Sequence, residues 1–275
     1  MRVYRFLLTV IVFGLLSACS LLPEQEDETK DWSASKFYSE ASAAMAEGDY
    51  PTAIRYYEGL EARYPFGKYA LQAQLDVAYA YYKNDEPESA LAALDRFIKL
   101  HPSNPHVDYA YYLKGLVKYN RSVGFLDRFV PTDPSQRDAG AALDAFKDFA
   151  VLLKKFPNSK YAKDARQRLI YLRNNLAKYE LHVARYYMKR GAYLAAANRA
   201  KTVVEQFERT TAVQPALEIM IDAYSKLGMN RLAEDARRVL EINLSKGTLV
   251  VEKEPAPHEK SLMRRIWDYI GFDKN

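Results

Sequence analysis

Glu47-Gly48-Asp49-Tyr50-Pro51-Thr52-Ala53-Ile54-Arg55-Tyr56-Tyr57-Glu58-Gly59-Leu60-Glu61-Ala62-Arg63-Tyr64-Pro65 is followed by a second version of itself. That version is Asp85-Glu86-Pro87-Glu88-Ser89-Ala90-Leu91-Ala92-Ala93-Leu94-Asp95-Arg96-Phe97-Ile98-Lys99-Leu100-His101-Pro102. Ala53, Tyr57, Leu60 and Pro65 fall on Ala90, Leu94, Phe97 and Pro102 at a constant offset of 37 residues, which also carries Ala78 onto Gly115 and Tyr82 onto Tyr119. The unit reads as two helices. Ala41 is expected to face Ala53, and Ala78 to face Ala90, because helices approach closely only where neither side chain is large. Pro65, Pro102 and Pro157 stop the second helix of a unit, since proline lacks the N–H that a continuing helix requires.

A period in the mid-thirties, with small residues at fixed places and a closing proline, resembles the tetratricopeptide repeat. Five repeats are expected. The first runs from about Ala34 to Gly67 and the second from Leu71 to Asn104. The third starts near Asp108 and is interrupted by 18 extra residues before Ala145, Phe149 and Leu152. The fourth contains Ala184, Gly191, Ala196 and Val203, and the fifth Gly228, Ala233 and Leu240. Ser159 to Arg190 has no turn signal before Gly191 and reads as one long helix, or two nearly continuous ones, coupling two halves. One repeat cannot bury its apolar face alone, so the fold class is all-α, a right-handed tetratricopeptide-repeat solenoid of about five helix hairpins. This divides the chain into repeats 1 to 3 over 34–158 and a linking helix with repeats 4 and 5 over 159–247. A tail over 248–275 carries Leu262, Ile266, Tyr269 and Ile270 at helical spacing.

The chain starts differently. Arg2 and Arg5 precede an apolar run from Phe6 to Leu16, far short of the roughly 20 residues that span a bilayer as a helix. Leu16-Ser17-Ala18-Cys19 then closes the run at the only cysteine in the chain, and resembles the bacterial lipoprotein signal. Residues 1–18 are therefore expected to be removed and Cys19 to carry covalent lipid. Such a cysteine would hold a diacylglyceryl group and an amide-linked chain, where a single chain binds only marginally. Ser20 follows it in place of the Asp that resembles an inner-membrane retention signal, which directs the protein to the periplasmic face of the outer membrane. Removal of the signal lowers the formal charge from +5 to +3, because Arg2 and Arg5 leave with it. So weak a charge without a basic cluster excludes a nucleic-acid partner. Residues 19–33 read as an acylated cysteine and a disordered tether, since Pro23 to Asp31 is acidic and has no aliphatic residue.

If the groove-facing positions of a tetratricopeptide superhelix apply, they place Tyr38, Tyr79, Tyr82, Tyr109, Tyr112 and Tyr119 on one concave surface. Tyrosine combines a rigid apolar face with a hydroxyl, so Tyr38, Tyr79, Tyr82, Tyr112 and Tyr119 are candidates for gripping a client peptide. Singly, Tyr79 and Tyr109 are equally well explained as contacts between repeats. The corresponding faces of the last two repeats are polar, with Lys178, Arg185, Met188 and Lys189, then Glu218, Asp222 and Lys226. Arg185 and Lys189, with Arg199 on the following helix, are candidates for docking a folded partner. The four histidines are scattered, and His101 and His106 share a loop with no acidic ligand, so no metal site or cofactor is expected beyond the lipid on Cys19. Ser-centred elbows, glycine-rich phosphate loops and Cys-His pairs are absent from the sequence, and an enzyme is not expected.

Tyr50-Pro-Thr-Ala-Ile-Arg-Tyr-Tyr57, Phe156-Pro-Asn-Ser-Lys-Tyr161-Ala162, Ala177-Lys-Tyr-Glu-Leu181, Val183-Ala184-Arg-Tyr-Tyr187 and Arg190-Gly191-Ala192 resemble the BamD (ComL) family of lipoproteins over nearly the whole mature chain. The resemblance implies a non-enzymatic subunit of the β-barrel assembly machinery. Its C-terminal half would bind the POTRA region of the barrel-forming subunit and its N-terminal half unfolded outer-membrane proteins, alongside other assembly-machinery lipoproteins. The alternative is a lipid-anchored repeat adaptor that recruits peptidoglycan enzymes.

Overall fold

The computed structural model describes residues 27–122 and 139–250, and every regular element among them is an α-helix. In chain order these are α1 (Ala34–Glu47), α2 (Tyr50–Arg63), α3 (Lys68–Lys83), α4 (Pro87–Leu100), α5 (Val107–Ser122), α6 (Ala139–Lys155), α7 (Ala162–Lys189), α8 (Tyr193–Gln206), α9 (Val213–Lys226) and α10 (Asn230–Ser245). The signal, Cys19, most of the third-repeat insertion and the tail beyond Val250 lie outside the described residues.

Gly48 and Asp49 form the whole connection between α1 and α2. Gly48 takes φ 81°, a conformation cheap only for glycine, and the next N–H, that of Asp49, returns to the Ala44 carbonyl at 2.9 Å. The Asp49 side chain then accepts the Thr52 N–H at 3.2 Å and opens α2, with Pro51 in its first turn. Helices α2, α4 and α6 end at Arg63, Leu100 and Lys155, two residues before Pro65, Pro102 and Pro157. Ala41, Ala53, Ala78 and Ala90 are all completely buried, as close helix approach requires.

Two units divide the chain, with the boundary inside α3 at Val77. The first is built on the α1–α2 hairpin, whose core is Phe37, Ala41, Tyr57 and Leu60. It also takes in residues expected to belong to the tether. Trp32 lies 5.2 Å from the ring of Phe37 and 5.0 Å from that of Tyr56. Its carbonyl accepts the Tyr64 hydroxyl at 2.8 Å, and Arg63 holds Asp27 and the Thr29 carbonyl. The expected free tether over 19–33 is corrected at its end: residues 27–33 dock on the hairpin, because Trp32 supplies the apolar area that the acidic run lacks.

In the second unit each helix from α4 to α10 packs on its neighbours in the chain. Helices α5 and α6 form a hairpin even though residues 123–138 intervene. The hairpin closes through Phe149, whose ring edge would lie 2.7 Å from a Cβ at Gly115. Helix α7 is one continuous helix of 28 residues, about 42 Å long. Its first half joins Ala145, Phe149 and Leu152 of α6 through Ala165 and Leu172. Its second half joins Ala200 and Val203 of α8 and Ala216 of α9 through Leu176, Ala177, Leu181 and Ala184.

Candidate functional site

Within the second unit, α3, α5 and α7 bring a set of tyrosines around one cation. Arg168 donates its Nε–H to Asp164 Oδ2 at 2.6 Å, one helical turn away on α7, and its guanidinium lies 4.8 Å over the ring of Tyr119. Tyr112 donates its hydroxyl to the same Asp164 oxygen at 2.7 Å and stacks on Tyr161, 4.7 Å away and tilted by only 14°. The other edge of Tyr119 meets Phe149 at 6.4 Å and Tyr171 at 6.0 Å. Tyr82 accepts a hydrogen bond from Asn120 and has Tyr79 beside it at 6.1 Å.

The electrostatics follow from that arrangement. Burial, and then the hydrogen bond to Asp164, push the Tyr112 phenol up to about 12. Burial alone is the leading cause of the upward shifts of Tyr82 and Tyr119, and Arg168 opposes both. Burial also acts to raise Asp164, but hydrogen bonds from Arg168 and Tyr112 outweigh it and hold the carboxyl below its usual range. The site is thus a patch of neutral phenol rings around an internally neutralised ion pair. The Tyr112 hydroxyl is spent on Asp164, and the rings of Tyr112 and Tyr119 also pack within the cluster, which carries little net charge.

Of the five candidate tyrosines, Tyr82, Tyr112 and Tyr119 gather around Arg168, and Tyr79 adjoins Tyr82. Tyr38 does not belong to this set. It lies in the first unit, donating its hydroxyl to Asp76 at 2.9 Å between Tyr57 and Tyr69, 6.0 and 5.5 Å away. Burial, and then the charge of Asp76, raise its phenol, while burial raises Asp76 itself. Tyr109 packs on Tyr161 at 5.4 Å, the contact between repeats that was its other reading. Tyr161, Asp164, Arg168 and Tyr171 complete the cluster without having been candidates. Their spacing of three, four and three residues marks a single face of a helix, but that helix was read only as a connector.

The C-terminal candidates separate. Arg185 and Lys189 line an open groove of about 570 Å3 between α7 and α9, with Met188 and Ile219 at its floor and Glu218 and Asp222 opposite. Neither cation forms an ion pair among the described residues. Asp222 is held by Lys226 at 3.7 Å. Arg199, on α8, does not line this groove and pairs with Glu180 on α7 at 3.1 Å. Among the described residues no group of three or more His, Cys, Asp or Glu side chains could hold a metal ion. No helix among them is long and apolar enough to cross a membrane. Cys19, the lipidation candidate, lies outside them.

Residues 30–240 match the family YfiO, described as an outer membrane lipoprotein. The chain is 46% identical to the outer membrane protein assembly factor BamD of Neisseria meningitidis serogroup B (strain MC58), over 96% of this chain and 99% of that one. It is 38% identical to BamD of Vibrio cholerae, over 87% of this chain and 98% of that one. BamD of Haemophilus influenzae is 32% identical over 94% and 98%. A match spanning both units, both candidate surfaces and the long helix between them leaves one assignment: the chain belongs to the BamD family of outer membrane protein assembly factors.

Proposed function

We propose that this chain is a non-enzymatic subunit of the β-barrel assembly machinery, anchored through lipid on Cys19 to the periplasmic face of the outer membrane. The Tyr82–Tyr112–Tyr119 cluster receives unfolded outer-membrane proteins. The groove carrying Arg185 and Lys189 docks the POTRA region of the barrel-forming subunit, and other assembly lipoproteins join the complex. The observation that carries this reading is that one unit offers two surfaces of opposite chemistry. A neutral aromatic patch suits an extended apolar segment, in which each ring pair contributes roughly 0.5–1.5 kcal/mol beyond area burial. Added to the apolar area they bury, such contacts suit micromolar binding, about 8 kcal/mol, as a client that is passed on requires. The second surface has two unpaired cations facing two carboxylates across a partly apolar floor. That pattern fits a folded partner with charges of both signs.

Two double variants and two measurements test the division. Tyr79→Ala with Tyr82→Ala removes rings from the aromatic patch while sparing the Tyr112–Tyr161 stack. It is expected to weaken a labelled barrel-protein terminal peptide at least several-fold in fluorescence anisotropy. Arg185→Glu with Lys189→Glu is expected to reduce capture of a POTRA-bearing protein from solubilised outer membrane and to leave peptide affinity unchanged. Wild-type binding by both variants, with circular dichroism unaltered, would refute the assignment. Capture of amidases or endopeptidases instead would establish the adaptor reading.

A further inference from the structure

The turn between α6 and α7 gathers charge of one sign. Lys154, Lys155, Lys160, Lys163 and Arg166 all lie exposed within residues 154–166, and Asp164 is the single acid among them. The expectation of no basic cluster is corrected here: one turn is basic, and the rest of the chain balances it. Asp164 is already committed, accepting Arg168 Nε–H at 2.6 Å and the Tyr112 hydroxyl at 2.7 Å. Asp108, which reaches the turn from α5, accepts the Ser159 hydroxyl at 2.6 Å. None of the five cations forms an ion pair among the described residues, whereas Lys118 of α5 and Arg168 of α7 do. Lys155 instead donates to the Tyr111 hydroxyl at 2.8 Å, and Lys160 lies 5.0 Å over the ring of Tyr161. Lys154 and Lys155 end α6, where cations suit the helix dipole. Lys160 and Lys163 flank the start of α7, where the dipole disfavours them, so folding gives no reason for that second pair.

We propose that these cations receive acidic residues of a client chain whose aromatic stretch lies on the neighbouring tyrosine patch. The inference rests on the client reading of that patch and adds a preference to it: apolar segments flanked by Asp or Glu. Tyr161 joins the two surfaces, stacking on Tyr112 at 4.7 Å on one side and meeting Lys160 on the other. A few residues of extended chain, about 3.3–3.6 Å each, cover that distance. Lys163 and Arg166 stand one turn apart on α7, and Ile170, 53% exposed, continues the same side. Charges placed at such a rim select and steer a partner more than they tighten it.

Fluorescence anisotropy on the full chain tests the preference with two labelled peptides of alternating Phe and Tyr, one ending in a run of Glu and the other in a run of Gln. The Glu peptide is expected to bind about tenfold more tightly at about 0.01 M salt. The difference should shrink below about twofold at about 1 M, where the screening length falls to about 3 Å. Lys163→Glu with Arg166→Glu should abolish it and leave the affinity of the Gln peptide unchanged. Both residues are exposed and acids suit the start of a helix, so circular dichroism should be unaltered. Lys160→Gln, outside the helix, is a second probe and should reduce the difference in part. Equal binding of the two peptides by wild type, or a preference that survives charge reversal, would overturn the proposal. So would capture of phosphatidylglycerol vesicles that charge reversal abolishes, with no preference between the peptides, which would make a lipid surface the occupant. The client reading of the patch fails separately, if Tyr79→Ala with Tyr82→Ala leaves both affinities unchanged while the Glu preference persists.

Discussion

A methyl group added at Gly115 would stand 2.7 Å from Cε1 and 2.8 Å from Cδ1 of Phe149, and that ring is completely buried with nowhere to yield. The second repeat has Ala78 at the equivalent place, so the glycine answers the larger residue of the third. Gly115→Ala is expected to cost about 1–3 kcal/mol by overpacking, despite its better helix propensity, as read from denaturant midpoints. Tyr112 makes a different prediction. Its phenol is raised from the usual 10 to about 12, so the folded state favours the protonated ring. That contribution is complete below pH 10 and is lost as the pH rises through 12. Tyr112→Phe should therefore cost about 1 kcal/mol at neutral pH, where Arg168 still pairs with Asp164. The gap from wild type should close between pH 10 and 12, and the late-ionising tyrosine should vanish from the phenolate absorbance titration.

Among the elements, α7 carries the most consequence. Its N-terminal half is sealed into the α6 core by Leu172, and its C-terminal half into the α8–α9 core by Leu176 and Leu181. The same half-turns position Asp164 and Arg168 for the aromatic patch and Arg185 and Lys189 for the groove. Both surfaces thus stand on one rod. Asn175→Pro would remove the N–H that bonds the carbonyl of residue 171 and crowd that turn, a change worth about 3 kcal/mol or more. The expected result is a single thermal transition split into two in calorimetry, because each half keeps its own core but loses the shared helix. A single transition shifted as a whole would show that the cores couple through other helices.

For the whole molecule, no described helix is long and apolar enough to cross a membrane, and the proposal assigns attachment to lipid on Cys19. Only a thiol at Cys19 supplies the nucleophile for acylation. Cys19→Ser is expected to lose label from a palmitate analogue, retain its signal and leave the outer-membrane fraction. Equal labelling of variant and wild type would remove Cys19 from the proposal. Docking of residues 27–33 shortens the span between anchor and folded hairpin to the seven residues 20–26. Seven residues reach about 25 Å at most, so lipid on Cys19, if the proposal holds, would keep the first unit within that distance of its anchor.

The repeat itself was legible in the sequence because its rules are local. An offset of 37, small residues at close approaches, glycine at left-handed turns and proline after a helix each depend on a handful of neighbouring residues, and α7 announced itself by lacking a turn before Gly191. Which side chains meet across helices was not local. Tyr38 was assigned to the same groove as Tyr82 but donates its hydroxyl to Asp76, because partner choice depends on what the adjacent helix presents. Arg199 was named as a docking candidate without its partner, Glu180, which only the packing of α8 on α7 reveals. Tyr161, Asp164, Arg168 and Tyr171 became part of the aromatic patch only when α7 packed beside α5. Trp32, in a stretch too acidic to fold by composition, found its place from two rings on the first hairpin. Periodicity along the chain thus determined the helices and their hairpins, whereas the chemistry of the surfaces was decided by contacts between residues 19 to 52 positions apart, which only tertiary packing brings within a hydrogen bond's length.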